Sequence, residues 1–195
     1  MMKKEYSFAK GEWQENEFFY AYSPACMDRV KFRQEKDAIV NGKGNSFCGY
    51  EMIPLLEKTK HRIGVVVETE CSFENFGAPL LVITDDVSQN EKGESVYGRY
   101  FEIVAYEQGI NVWSVIPAEK GENCPISATL LATKKFSIEA NTRINIKVEV
   151  CENAVKAWVN GEYLETAIEA LPSTFYVGVT ACEGINRFYS FAVQD

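Results

Sequence analysis

Most of the chain consists of short segments in which apolar and polar residues alternate between glycine, proline, asparagine or aspartate. In "RIGVVVETEC", residues 62–71, the alternation places Ile63, Val65 and Val67 on one face and the charged residues Arg62, Glu68 and Glu70 on the other. Further segments of this kind are "PLLVITDD", "YGRYFEIVAY", "INVWSVI", "RINIKVEV", "AVKAWVNGEYL", "TFYVGVTA" and "RFYSFAV". A period of two is that of a half-buried strand, and the sequence shows neither a long amphipathic helix nor strand–helix alternation. The pattern therefore predicts an all-β protein, an antiparallel sandwich or barrel.

The length and composition are those of one globular domain of this class. The chain has 195 residues, of which 46% are hydrophobic and 25% are charged, and we expect a single domain over 1–195. Every apolar run is much shorter than the roughly 20 residues of a membrane span. No apolar stretch follows the basic pair near the start, so we expect no secretory signal and a cytoplasmic location.

The net charge narrows the classes of molecule that could bind this chain. The net charge is −8 and the basic residues are scattered, so neither nucleic acid nor an anionic membrane is an expected partner. A neutral ligand is compatible with this charge, and an oligomer is possible.

The six cysteines form no Cys-x-x-Cys pair, and free thiols are expected rather than disulfides. They are Cys26, Cys48, Cys71, Cys124, Cys151 and Cys182.

His61 is the single histidine of the chain. A multi-histidine metal site is therefore impossible, and any catalysis of the Ser-His-Asp type would depend on this one residue. Its neighbours in "EKTKHRIG" are charged, which favours a solvated side chain at the entrance to a strand. No cofactor is expected.

Three hairpins can be given a register, because a slip by one residue would exchange the two faces of a strand. The first turns at Gln108–Gly109. The second turns at Glu152–Asn153, which places Glu149 opposite Lys156 and Lys147 opposite Trp158. The third turns at Glu183–Gly184. "Gly-Ile-Asn" occurs in the first and third, and its glycine is interpreted as supplying positive φ in a two-residue turn.

The last third of the chain resembles the closing strands of the concanavalin A-like lectin/glucanase superfamily, including laminin-G-like domains. In that superfamily a strand, a tight turn and a strand ending near Val-Asn-Gly precede a Val-Gly strand and a final aromatic strand. The corresponding pieces here are Val159-Asn160-Gly161, Val177-Gly178 and the run from Arg187 to Phe191. The resemblance covers about residues 140–193, with weaker support from 97–116.

This resemblance implies a jelly-roll sandwich of two antiparallel sheets, which commonly meets carbohydrate on the concave sheet or at the loop rim. The chain departs from the superfamily's catalytic pattern, because Glu102 stands alone where a Glu-x-Asp-x-x-Glu cluster would be expected. Tyr100 and Val104 occupy the positions of its partners. The loop aspartates, asparagines and histidine of a legume-lectin metal site are also missing.

The strongest candidate site is one face of the first hairpin, which combines aromatic rings with amide and carboxylate groups suited to a sugar. Its members are Tyr100, Glu102, Tyr106, Asn111 and Trp113. Arg187 and Tyr189, on the reverse face of the third hairpin, form a second set of the same kind. For glycoside hydrolysis, which needs two carboxylates roughly 5 to 9.5 Å apart, Glu102 and Glu183 are the candidate pair. Asp85 and Asp86 are weak candidates for calcium at a strand end.

Three functions therefore remain open. The first is a non-catalytic carbohydrate-binding or interaction module that uses the aromatic and polar face, with an oligosaccharide or glycoside as ligand. The second is a glycoside hydrolase with Glu102 as a catalytic carboxylate. The third is a protein-interaction or oligomerisation domain in which a partner covers the aromatic face.

Overall fold

A computed structural model of the chain describes residues 3–22, 31–41, 53–84, 86–117 and 126–195. These residues form fifteen strands and one 3-10 turn, Glu15–Glu17. The strands are β1 (Lys3–Ser7), β2 (Phe18–Tyr20), β3 (Arg33–Gln34), β4 (Ile39–Val40), β5 (Leu55–Glu57), β6 (Val66–Thr84), β7 (Val87–Gln89), β8 (Ser95–Tyr97), β9 (Tyr100–Tyr106), β10 (Gly109–Pro117), β11 (Ile126–Lys135), β12 (Ile144–Val150), β13 (Ala154–Val159), β14 (Glu162–Ala167) and β15 (Tyr176–Gln194). Within the described ranges no helix is long and apolar enough to cross a membrane.

The strands form a two-sheet antiparallel jelly roll, as predicted. Two strands of 19 residues, β6 and β15, lie side by side and take part in both sheets. Their outer ends, 66–73 of β6 and 186–194 of β15, join β1, β12, β13 and β14 in the first sheet. Their other ends, 79–84 and 176–181, join β2, β5, β9, β10 and β11 in the second sheet.

One hydrophobic core fills the space between the sheets. Val148 and Val155 of the first sheet belong to it, as do Leu81 and Ile103 of the second. In β12 and β13 every second residue is buried, so the outer face of the first sheet is largely accessible to solvent. In β9, by contrast, both faces are buried from Tyr100 to Ala105. The second sheet is therefore covered on its outer face as well.

The cover on the second sheet includes the separate β7–β8 hairpin. The Tyr97 ring packs edge-on against the Tyr100 ring with 4.8 Å between the centroids. Together with Leu80 and Val82 these rings form a second apolar cluster outside the sandwich core. This cluster positions the candidate site, because the residues of the site lie on the same face.

The second hairpin has the predicted register. Val150 pairs with Val155, and Glu149 pairs with Lys156. The Lys156 ammonium lies 3.2 Å from the Glu149 carboxylate. On the same face the Lys147 ammonium lies 5.6 Å from the centroid of the Trp158 ring.

The first hairpin forms, but its turn is Glu107–Gln108 and not Gln108–Gly109. Gly109 already belongs to β10 and pairs with Tyr106. Its φ is +132°, and a Cβ there would lie 2.0 Å from the Lys134 carbonyl oxygen of β11. The glycine is therefore needed for the close approach of β11. Because the register differs from the prediction by two residues, every side chain keeps its predicted face.

The predicted third hairpin is wrong, because β15 continues through Glu183–Gly184 as one strand. β6 lies alongside it and offers backbone partners on both sides of the irregular stretch. Gly184 has φ +66°, and a Cβ there would lie 2.2 Å from the Phe76 carbonyl oxygen. The two "Gly-Ile-Asn" copies therefore share a glycine at positive φ pressed against a neighbouring carbonyl, and neither is the centre of a two-residue turn.

Candidate functional site

The residues predicted for the first hairpin share the outer face of the second sheet. Trp113 lies directly opposite Glu102, and Val115 lies opposite Tyr100. Asn111 is opposite Val104, one step nearer the turn. Directly opposed side chains have Cβ atoms about 4.5–5.5 Å apart, so Glu102 and Trp113 are neighbours. The pairing of β9 and β10 thus brings the carboxylate, the indole and the amide into one group.

Burial divides this group into two parts. Tyr100 is 1% exposed and Glu102 is 7% exposed, beneath the cover that includes Tyr97. Tyr106, Asn111 and Trp113 are half-buried. Tyr100 therefore cannot act as an exposed stacking platform, whereas the partly accessible Trp113 ring lies at the boundary between the covered and open parts of the face.

Three buried polar atoms on this face have no hydrogen-bond partner in the described part of the chain. They are the Tyr100 hydroxyl, Oε1 of Glu102 and Oδ1 of Asn111. A buried polar atom without a partner destabilises a fold by about 1–3 kcal/mol, and such atoms are uncommon in folded proteins. Three of them on two adjacent strands form a local group of polar atoms that a ligand could satisfy.

The Glu102 carboxyl titrates near neutrality. Burial raises its pKa to about 7, and the nearby Tyr100 phenol offsets only part of this rise. Burial also raises the pKa of Tyr100 well above its ordinary value, so the phenol stays protonated. Near neutral pH Glu102 can therefore either donate or accept a hydrogen bond at this face.

The Tyr106 side chain contacts a cation of β11, which lies two strands away from β9 in the sheet. The Lys135 ammonium donates a hydrogen bond to the Tyr106 hydroxyl. The same ammonium lies 5.0 Å from the centroid of the Tyr106 ring. One side of this ring is thus occupied by the protein itself, which leaves Trp113 as the better aromatic surface for a ligand.

Arg187 and Tyr189 lie in the part of β15 that belongs to the first sheet, away from β9 and β10. Arg187 forms ion pairs with Glu35 at 2.8 Å and with Glu74 at 2.7 Å. The Arg143 guanidinium carbon lies 3.1 Å from the centroid of the Tyr189 ring. The structure therefore does not bring this second set to the face of the first hairpin, and both residues already have partners.

Glu183 is far from Glu102. Glu102 pairs with Val82, and Val82 pairs with Gly178, so Glu102 is level with Gly178. Glu183 comes five residues later on β15. At about 3.3 Å per residue and about 4.8 Å per strand, the two backbones differ by roughly 16 Å along the strands and roughly 10 Å across them. The two glutamates are thus not held at the spacing that glycoside hydrolysis needs.

The calcium candidates show no cluster of ligands. Asp85 lies outside the described residues, and Asp86 is exposed. In the described ranges no group of three His, Cys, Asp or Glu side chains could hold a metal ion. Asn90 accepts hydrogen bonds from the backbone amides of Lys92 and Glu94, each at 2.9 Å, so it stabilises the turn between β7 and β8.

His61 is buried, which corrects the expectation of a solvated side chain. It is 3% exposed and lies between two carboxylates. Its Nε2 is 2.7 Å from Glu57, and its Nδ1 is 3.0 Å from Asp195. Burial lowers the pKa of His61, but the two carboxylates outweigh this effect and raise it. The Glu57 contact lies within the local sequence, but the Asp195 contact spans 134 residues, so no local pattern could have indicated that His61 lies between two carboxylates.

Of the described cysteines, Cys71 and Cys151 are free thiols. The buried Cys71 thiol packs in the core between the sheets, and burial raises its pKa well above the ordinary value. These cysteines are consistent with the expectation of free thiols and add no reactive group to the candidate site.

No protein-family model and no curated protein sequence matches this chain. Solved structures do match. A carbohydrate-binding module of family 66 from Bacillus subtilis is similar with a TM-score of 0.56 and 10% identity, over 83% of this chain and 89% of that one. The κ-carrageenase of Pseudoalteromonas carrageenovora, solved with a κ-carrageenan oligotetrasaccharide, has a TM-score of 0.59 and 7% identity, over 97% and 92%.

The exoplasmic/lumenal domain of VIP36, solved with Ca²⁺ and Man3GlcNAc, is similar with a TM-score of 0.55 and 11% identity, over 97% of this chain and 87% of that one. Identities this low are informative about the fold alone. The two-sheet sandwich agrees with these neighbours and with the resemblance of the closing strands. The chain thus has the jelly-roll fold of the concanavalin A-like lectins and glucanases.

Proposed function

We propose that the outer face of β9 and β10 binds a carbohydrate, an oligosaccharide or a glycoside, without cleaving it. The observation that carries this proposal is the group of three buried polar atoms without partners, on Tyr100, Glu102 and Asn111, beside the half-buried Trp113 ring. Sugar hydroxyls can donate and accept hydrogen bonds, and the C–H face of a sugar ring can pack on an indole. One ligand class thus suits both halves of the face.

Two further points support carbohydrate as the ligand class. Structural neighbours of this fold include a carbohydrate-binding module and a domain solved with a bound glycan. A neutral ligand is also compatible with the net charge of −8, whereas a polyanion would be repelled.

Hydrolysis is the second candidate because the pKa of Glu102, about 7, suits a general acid. The mechanism also requires a second carboxylate across the substrate. In the described strands of this face, namely β9, β10, 79–84 of β6 and 176–181 of β15, Glu102 is the one acidic residue. Binding without cleavage is therefore the better supported function.

The test combines a glycan array with calorimetric titration of any glycan found. Trp113→Ala is expected to weaken binding by about tenfold or more through the loss of the stacking surface. Trp158→Ala is the matched control, because Trp158 is a half-buried tryptophan on the outer face of the other sheet. It should leave the affinity unchanged.

The same proteins are assayed with aryl glycosides. We expect no turnover by the wild type. If the wild type does turn over a glycoside and Glu102→Gln abolishes this turnover, the function is hydrolysis and not binding alone. Equal affinity of the Trp113→Ala protein and the wild type would exclude this face as the binding site.

A further inference from the structure

A cavity of about 500 Å³ lies beside β2 and β3, next to the turn between β7 and β8. This volume is within the range of pockets that hold small ligands. Six aromatic side chains line much of it: Trp13, Phe18, Phe19, Tyr20, Tyr22 and Phe32. We call it the aromatic cavity.

The aromatic cavity is separate from the face of β9 and β10. In the second sheet β2 pairs with β5, β5 with β15, β15 with β6, and β6 with β9. Four strand spacings of about 4.8 Å place β2 roughly 19 Å from β9. A ligand in the aromatic cavity can therefore be studied independently of one at Trp113.

The walls of the aromatic cavity are held in place by contacts behind them. The Trp13 indole N–H donates to Oε1 of Gln34 at 2.9 Å. The Gln34 amide in turn donates to the Phe8 carbonyl oxygen at 2.9 Å. The Phe32 ring packs edge-on against Phe188 of the core, with centroids 5.6 Å apart. A cavity fixed in this way loses little conformational freedom when a ligand enters.

A cation of the protein already occupies part of the aromatic cavity. The Lys31 ammonium lies 5.0 Å from the centroid of the Tyr20 ring, within the range of a cation–π contact. Among the residues that the structure describes, no carboxylate forms an ion pair with Lys31, whose side chain is exposed. Its ammonium is therefore held mainly by the ring and can leave it at small cost.

The rim of the aromatic cavity is acidic. Glu15 and Glu94 both line it. Burial raises the pKa of Tyr20 to about 12, and the negative charge of Glu15 contributes to this rise. The carboxylate field therefore reaches the ring on which Lys31 rests. Together with the net charge of −8, it favours a cationic ligand and disfavours an anionic one.

We propose that the aromatic cavity binds a small organic cation with an alkylated ammonium head group, which takes the place of the Lys31 ammonium over Tyr20. Aromatic faces attract such a head group because it carries a full charge and is weakly hydrated. The carboxylate of Glu15 supplies the complementary charge, whereas the Glu94 carboxylate at the rim already accepts a hydrogen bond from the Asn90 amide at 2.9 Å. A neutral sugar could donate hydrogen bonds to these carboxylates but would gain no attraction between opposite full charges.

The probes are choline and its neutral carbon isostere 3,3-dimethylbutan-1-ol, which have nearly the same shape but differ in charge. Both are titrated into the full chain at low ionic strength and followed by NMR chemical shifts and tryptophan fluorescence. Choline is expected to bind at least tenfold more tightly than the isostere. Equal binding of the two, or no binding of choline at millimolar concentration, would overturn the proposal.

Three variants locate the site. Lys31→Ala removes the competing ammonium and should tighten choline binding several-fold, whereas Glu15→Gln should weaken it several-fold. Both residues are exposed, so the fold should be preserved. Tyr20→Leu should weaken binding about tenfold, and the two surface variants keep the test valid if this third protein is unstable.

Lys147→Ala is the matched control, because Lys147 forms the same kind of contact with Trp158 on the other sheet. It should leave choline binding unchanged, as should Trp113→Ala. If choline affinity instead falls in the Trp113→Ala protein and is indifferent to Lys31 and Tyr20, the cation site is not the aromatic cavity.

Discussion

Glu57 and Glu102 are both buried carboxylates, 1% and 7% exposed, yet their surroundings drive their pKa values in opposite directions. Glu57 accepts hydrogen bonds from Tyr6 at 2.7 Å and Lys4 at 3.0 Å and contacts His61 at 2.7 Å. Burial alone raises the pKa of Glu57, but these three partners lower it to about 2. Glu102 has no comparable partner, and burial raises its pKa to about 7.

The comparison shows that burial makes a charge unfavourable and that partners decide whether the charge is kept. Glu57 keeps its charge and ties β5 to β1, whereas Glu102 keeps its proton up to about pH 7 and has an oxygen without a hydrogen-bond partner. Their effects on stability fall in adjacent pH windows. The Glu57 contribution is present above pH 4.5 and is lost as the pH falls towards 2. The Glu102 penalty appears as the pH rises from 4.5 towards 7.

The largest expected effect comes from Glu57→Gln, which leaves the charges of His61 and Lys4 without their shared counter-charge. Breaking one side of a buried charge pair lowers the free energy of unfolding by about 3–5 kcal/mol. Urea unfolding at pH 6 measures this loss in the free energy of unfolding. Glu102→Gln is the matched control, and it should leave the free energy of unfolding unchanged or raise it. Similar losses in the two variants would contradict the contrast between the two carboxylates.

The second largest expected effect is the pH dependence of the free energy of unfolding that Glu102 causes. The pKa of Glu102 is about 7 in the fold, against an ordinary value of 4.5. At about 1.4 kcal/mol per pH unit, the free energy of unfolding should fall by about 3 kcal/mol between those two values. In Glu102→Gln this decline should disappear, while the acid loss below pH 4.5 remains. A decline of the same size in both proteins would assign it to other groups.

The smallest expected effect on the free energy of unfolding comes from removing a single tyrosine hydroxyl, at Tyr6 or at Tyr100. The Tyr6 hydroxyl donates to Glu57, whereas the Tyr100 hydroxyl lies near Tyr97 and Glu102 but forms no hydrogen bond of normal geometry in the described structure. Tyr6→Phe should lower the free energy of unfolding by about 1–2 kcal/mol. Tyr100→Phe should leave it unchanged or raise it by up to about 1 kcal/mol, because it removes a buried hydroxyl without a partner. Thermal and urea unfolding of both variants measure the difference, and losses of equal size would show that Tyr100 does have a partner.

Local pattern predicted the second hairpin correctly, because the alternation and the turn lie within a single stretch of sequence. The same kind of turn signal failed at Glu183–Gly184. There β6, more than a hundred residues earlier in the chain, offers β15 a continuous partner, and the glycine serves to let the two backbones approach. A glycine next to an acidic residue predicts positive φ, but it does not say which neighbouring backbone requires it.

The candidate face on β9 and β10 likewise has some features that local pattern predicted and others that only the folded structure shows. Alternation along β9 and β10 correctly predicted that four side chains share one face of the sheet, namely Tyr100, Glu102, Asn111 and Trp113. The prediction held although the predicted register differs from the observed one by two residues, because a shift of two preserves the faces. Alternation could not show that the β7–β8 hairpin packs Tyr97 onto Tyr100, nor that Glu102 would be left buried with an unpartnered oxygen.

By itself the sequence determined the all-β class and the faces of the strands, because these follow from periodicity and from residues close together in the chain. The two-sheet jelly roll was implied by the resemblance of the closing strands to a known superfamily. Only the tertiary structure decided which polar groups found partners. His61 meets Asp195 across 134 residues, and Arg187 meets Glu35 across 152. A hydrogen bond depends on ångström-scale proximity between distant segments, which no local pattern encodes, so the unpartnered Glu102 and the aromatic cavity appear only once the chain is folded.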